Sequence, residues 1–164
     1  MSDPDHRPAT LSRTLALLAG VLAMLAAATN TFAVALAAGG FAALLLGAFK
    51  NTRRAVDTGA MALGGGVVVG AGSHAVAAIP LFGAVATVAA WDLAGHAIDV
   101  GEQLGRGADT RRLELVHAGA VAAVGLAAAT AGFLLYRIAF RDVALSTLVF
   151  LLFASILLMA ALRE

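Results

Sequence analysis

The side chains able to do chemistry in this chain crowd into one stretch, WDLAGHAIDVGEQLGRGADTRRLELVH, at residues 91–117. On a helix Asp92, His96, Asp99 and Arg106 are spaced by four, three and seven residues, so they share one face. Leu93, Ala97, Val100 and Leu104 repeat that spacing as an apolar stripe, and Glu102, Arg111 and Arg112 add further charge. Three uses fit. The plainest is a helical extension whose charges are solvated or paired, as Asp99 or Glu102 with Arg106. The second is a docking surface, in which stripe and charged face together grip a cytoplasmic protein partner or lie along anionic headgroups. The third is a metal or proton site. Glu114 and His117 form Glu-x-x-His, the spacing used in carboxylate-bridged di-metal bundles. A complete site of that kind needs a second such pair and more glutamates. Here only Asp92, His96 and Asp99 could face the pair across the turn, so no cofactor is expected.

The elements that must position these residues are set by composition. The chain has 164 residues, 61% of them apolar and 13% charged, against roughly 45–50% and about 25% in ordinary soluble domains. A water-soluble globule of this size could not bury so much apolar surface, and disordered chains have the opposite bias. The net charge of +1 is too small for a nucleic-acid binder. With no cysteine, disulfides, thiolate metal sites and thiol nucleophiles are excluded. No hydrolase-like grouping of serine, histidine and acid and no phosphate-cradling glycine loop appears. No enzyme activity is therefore expected.

A bilayer core takes about 20 mainly apolar residues per helix, with a range of roughly 17–25. The sequence predicts an all-α polytopic membrane protein, a bundle of six transmembrane helices in one domain (residues 11–162) after a short cytoplasmic tail (1–10). The spans fall at about 11–28, 32–49, 55–72, 75–91 with an amphipathic extension to 105, 113–136 and 143–162. Thr29-Asn30-Thr31 makes a tight hairpin between the first two, and the first reads as a retained anchor rather than a cleaved signal. Ser73-His74 is a minimal turn, and Trp91 marks the membrane boundary. Pro80 is tolerated if its helix starts a little later. Alternate sorting of the loops places nine basic residues (Arg7, Arg13, Lys50, Arg53, Arg54, Arg106, Arg111, Arg112 and Arg163) on one side and two, Arg137 and Arg141, on the other. The positive-inside rule then puts both termini in the cytoplasm, at the plasma membrane.

Alanine and glycine dominate the spans, which suits close helix packing in lipid. The third span is richest in glycine, and Gly66 with Gly70 forms a GxxxG pair, read as a helix-packing contact within the chain or in a homo-oligomer. Asp57 is expected to pair with Arg53 or Arg54, His74 to lie exposed in its turn, and Arg137 and Arg141 to anchor the interface beside Tyr136.

The polar stretch resembles a family of small haloarchaeal multi-pass membrane proteins. The residues that carry the likeness are Trp91-Asp92, Gly101 to Arg106, Thr110 to Arg112 and Glu114 to His117, about a sixth of the chain. The excess of arginine over lysine, ten to one, fits a GC-rich genome. The resemblance implies a gene neighbourhood with MoxR-type AAA ATPases, and hence a membrane component of an ATPase-linked assembly, with no catalytic residues to carry over. The expected role is an integral membrane scaffold or accessory subunit, docking its partner through the loop after the fourth span. A small transporter or channel for protons, ions or a solute is the alternative, with the third span and the polar end of the fourth lining its path.

Overall fold

A computed structural model describes residues 10–73, 76–104 and 111–139 of the chain. Five helices account for them: α1 (Thr10–Ala26), α2 (Thr31–Lys50), α3 (Arg53–Ala71), α4 (Ala78–Leu104) and α5 (Arg111–Ala139). Among the described residues there is no strand. The chain divides into two compact units, Met1–Thr130 and Ala131–Glu164. In the second, the described residues continue the helix of α5, and the Arg137 guanidinium lies 5.9 Å from the centre of the Phe133 ring.

In the first unit α1 to α4 pack side by side, with α2 against α3 and α1 against α4 as the most extensive pairings. The turn between α1 and α2 is sealed by Asn30, whose extended backbone and side-chain oxygen cap α2 by accepting the Ala33 N–H at 2.9 Å. Asn51 ends α2 in the left-handed conformation, φ 55° and ψ 42°, which asparagine tolerates better than most residues. The Thr52 N–H then returns to the Gly47 carbonyl at 2.9 Å. These caps place the α2–α3 turn where the basic segment predicts it.

The core is built mostly from alanine: Ala16, Ala23, Ala33, Ala37, Ala90 and Ala94 are wholly buried, with Leu44, Val56 and Leu63 as the larger members. Such small side chains let backbones meet, and Gly40 and Gly59 show how closely. A Cβ added to either would stand 2.7 Å from the other's carbonyl oxygen. Large apolar side chains point outward instead, among them Leu22, Phe32, Met61, Val68 and Val124. That inversion suits a lipid solvent, where packing rather than burial of large apolar groups holds helices together.

Among the described residues three helices are long and apolar enough to cross a membrane: Thr31–Lys50, Ala78–Glu102 and Arg111–Ile138. This is fewer than the six spans expected from sequence. The helix α1 has 17 residues, at the short limit for a crossing. In α3 the charges of Arg53, Arg54 and Asp57 and a run of glycines dilute its apolar character. The sixth expected span, 143–162, lies outside the described residues. Another difference concerns the turn after α3. Helix α4 begins at Ala78, not near 75, which leaves Pro80 in the first turn, where a missing N–H breaks no helical hydrogen bond. His74 lies outside the described residues.

Candidate functional site

The polar residues of the first unit assemble at one end of the bundle, where α1, α3 and α5 start and α2 and α4 finish. Contacts across that end define it. The Ser12 N–H in the first turn of α1 donates to Glu114 Oε2 at 2.7 Å. Arg53 Nη1, in the first turn of α3, donates to both carboxylate oxygens of Asp99 on α4, at 3.0 and 3.1 Å. Asn51 Nδ2 donates to Glu102 at 3.4 Å, and the Arg13 guanidinium lies 4.6 Å from the Phe49 ring centre. No Lys, Arg, Asp or Glu occurs between Arg13 and Lys50 or between Asp57 and Asp92. The turns after α1 and α3 carry uncharged polar residues such as Thr29, Asn30 and Ser73, with His74 their one titratable residue.

The expected single face of α4 is shared between two neighbours. Asp92 turns to α5, where its Oδ2 lies 2.7 Å from His117 Nε2. Because an ionised carboxylate can only accept, His117 Nε2 carries the hydrogen of that bond. His96, one turn further along, stacks its ring on His117 with centroids 3.8 Å apart and planes 16° from parallel. Its Nε2 is buried and has no hydrogen-bond partner among the described residues. Asp99 turns to α3 instead and is held by Arg53. The Arg53 guanidinium passes close over Gly95, where an added Cβ would meet its Cζ at 3.0 Å.

Tertiary neighbours add partners that helical spacing alone did not name. Asp99 and Glu102 find Arg53 and Asn51, from the neighbouring α2–α3 turn; Arg106, their expected partner, lies outside the described residues. A tertiary neighbour thus supplies partners that helical spacing would seek along the same chain. Arg53 Nε does approach Asp57, but at 3.9 Å. The closer partner of Asp57 is Trp91, whose Nε1 donates to it at 2.7 Å. Trp91 therefore ties α4 to α3, a role its indole hydrogen performs and which sequence position alone assigned to the membrane boundary.

Glu114 and His117, the Glu-x-x-His pair, serve different neighbours. Glu114 is buried, 4% exposed, and engages the start of α1, whereas His117 meets Asp92 and His96. Among the described residues no group of three or more His, Cys, Asp or Glu is arranged to hold a metal ion. Parallel stacked imidazoles direct their nitrogens side by side rather than toward one point. Arg111 and Arg112 open α5 with exposed side chains. Gly66 and Gly70 pack inside the chain: a Cβ at Gly66 would meet the Ala37 amide nitrogen at 2.8 Å, and one at Gly70 would meet Thr29 Oγ1 at 2.9 Å.

Two clefts flank Trp91. One, of about 540 Å³, lies between α4 and α5 and has Asp92 and His117 at its polar end, with walls that include Val85, Val88, Val121 and Val124. The other, of about 490 Å³, is lined by Arg53, Asp57, Met61, Thr87 and Trp91. Sequence reasoning missed the Ser12–Glu114 and Trp91–Asp57 contacts. The one legible hint was that α1 opens without an acidic residue in its first turn, leaving its N–H groups in want of an acceptor.

A family model covers residues 6–159, and so all five helices and this polar end. The chain belongs to a family of unknown function, DUF7519. No curated protein and no solved structure matches it. The family covers far more than the polar stretch on which the sequence resemblance rested, and it carries no assigned chemistry for the residues gathered here.

Proposed function

We propose that the protein is a non-enzymatic, integral membrane scaffold or accessory subunit that docks a cytoplasmic partner at the charged end of its bundle. One observation carries the reading. Arg13, Lys50, Arg53, Arg54, Arg111 and Arg112 come to the same end as the C-terminal turns of α4, while the turns after α1 and α3 carry no Lys, Arg, Asp or Glu. Lys50, Arg54, Arg111 and Arg112 are exposed there. An excess of basic residues in these turns fits a cytoplasmic face under the positive-inside rule. A rim of arginines around a fixed carboxylate and imidazole cluster gives a soluble protein something specific to hold.

In this reading the bundle crosses the plasma membrane six times with both termini in the cytoplasm, α1 and α3 crossing as short, tightly packed helices and residues 143–162 supplying the last span. The haloarchaeal resemblance favours an ATPase-linked assembly as the partner's setting. The test is site-specific photocrosslinking from Glu102, Arg111 and Arg112 in native membranes. A discrete adduct, lost on Arg111→Ala/Arg112→Ala double substitution, supports docking. Adducts with lipid alone remove it.

A second reading, a small transporter or channel, draws on the imidazole pair and Asp92 at the polar end of the α4–α5 cleft. Solute or proton flux into vesicles that is lost in His96→Ala and Asp92→Asn would favour it over docking. Equal flux in both variants and in the parent removes these residues as the path.

A further inference from the structure

We propose that Asp92, His96 and His117 form a proton-binding site whose full loading loosens the seam between α4 and α5. The inference stands on the packing of the three side chains and is independent of the docking reading.

The cluster has room for one extra proton and no arrangement for a second. His117 already donates from Nε2 to Asp92, so a proton taken from water at its Nδ1 gives an imidazolium that the Asp92 carboxylate balances. His96 has no such provision. Its Nε2 is buried without a partner; in the imidazolium both ring nitrogens carry hydrogen, so the charged ring holds an unpaired buried donor, which is costly. Its ring also lies 3.8 Å from that of His117, a separation at which two like charges repel.

The other charged groups around the pair are already committed. On α4 Asp99 is held by Arg53 of α3, whose guanidinium packs against Gly95. On α5 Glu114 engages the α1 amide of Ser12, and on α1 Arg13 lies over Phe49. Charging both rings therefore leaves one carboxylate for two cations unless the rings separate. The seam they would open is lightly built. Beyond the polar end it is an apolar cleft, closed where Val85 packs directly on Gly125.

Trp91 is the single tryptophan of the chain and lines the same cleft beside Asp92, so its emission reports on the site. The test uses the full chain in phosphatidylcholine nanodiscs, with spin labels on cysteines at the exposed positions Phe82 of α4 and Ala127 of α5. The chain has no cysteine of its own, which keeps the labels where they are placed. Between about pH 8 and about pH 5, where histidines ordinarily titrate, the inter-label distance should lengthen reversibly. The change should exceed the roughly 1–2 Å of an ordinary helix shift, with Trp91 emission changing at the same midpoint. His96→Gln and His117→Gln, each leaving one titratable ring, should both abolish the lengthening, and Asp57→Asn should retain it. An unchanged distance in the unsubstituted rings overturns the proposal without reference to any variant. So does a folded His96→Gln protein that lengthens as before.

Discussion

Glu114, from the first turn of α5, places a carboxylate oxygen 2.7 Å from the backbone amide of Ser12, 102 residues earlier, in the first turn of α1. A helix N-terminus presents unpaired N–H groups and a positive dipole end, and this buried carboxylate answers both. Glu114→Ala should lower bundle stability by about 0.5–2 kcal/mol, the range for loss of an N-terminal cap. Glu114→Gln should lose less, since the amide oxygen still accepts. Urea or thermal unfolding in detergent, followed by helix ellipticity, measures both. Equal losses would show that charge rather than the hydrogen bond carries the contact.

The Gly40–Gly59 contact predicts a sharp positional contrast. Gly40→Ala would drive a methyl group into the backbone of α3 and should destabilise by about 1–3 kcal/mol or more, as overpacking does. At Gly39 an added Cβ meets nothing within 4 Å. Gly39→Ala should be neutral or should stabilise by up to about 1 kcal/mol through helix propensity. The same unfolding series compares them.

The Arg53–Asp99 pair joins α3 to α4, with both side chains about half exposed. Solvent screens such a pair, so a double-mutant cycle of Arg53→Ala and Asp99→Ala should give a coupling of only about 0.2–1 kcal/mol. That coupling should shrink further in about 1 M salt, where the Debye length is about 3 Å. A coupling that survives high salt undiminished would place the pair in a drier setting than its exposure implies.

Topology is testable with the same cysteine-free background. Thiols placed at Lys50 and Ser73, both exposed and at the two ends of α3, should react from opposite sides. In intact cells a membrane-impermeant maleimide should modify Ser73→Cys and spare Lys50→Cys until the membrane is opened. The reverse pattern would invert the bundle and place its arginines outside.

Trp91 and Asp57 offer an optical check on the α3–α4 contact. Asp57→Asn replaces a charged acceptor of the indole N–H with a neutral one, so the Trp91 emission maximum should shift. Thr58→Val, on the exposed side of α3 where the hydroxyl donates to the Arg54 carbonyl, should leave it in place.

Much of this arrangement is written in local sequence. Apolar runs broken by Thr29-Asn30-Thr31 and by Lys50 to Arg54 demand helices with turns at those points, because asparagine caps and ends them and charge leaves the bilayer. Small residues at Gly40, Gly59, Gly66 and Gly70 announce close packing, since nothing larger lets backbones touch. Helical spacing also places Asp92, His96 and Asp99 on related positions of α4. Which neighbour each of those three meets could not be read this way. The sequence by itself determined the helices, the polar end and the apolar exterior, through hydropathy and capping that act within a few residues. Only the tertiary structure decided that Asp92 and His96 meet His117, that Asp99 takes Arg53 and that Glu114 caps α1. Those pairings depend on the rotation and height of helices packed through alanine and glycine, and such uniform surfaces leave no pattern along the chain to specify them.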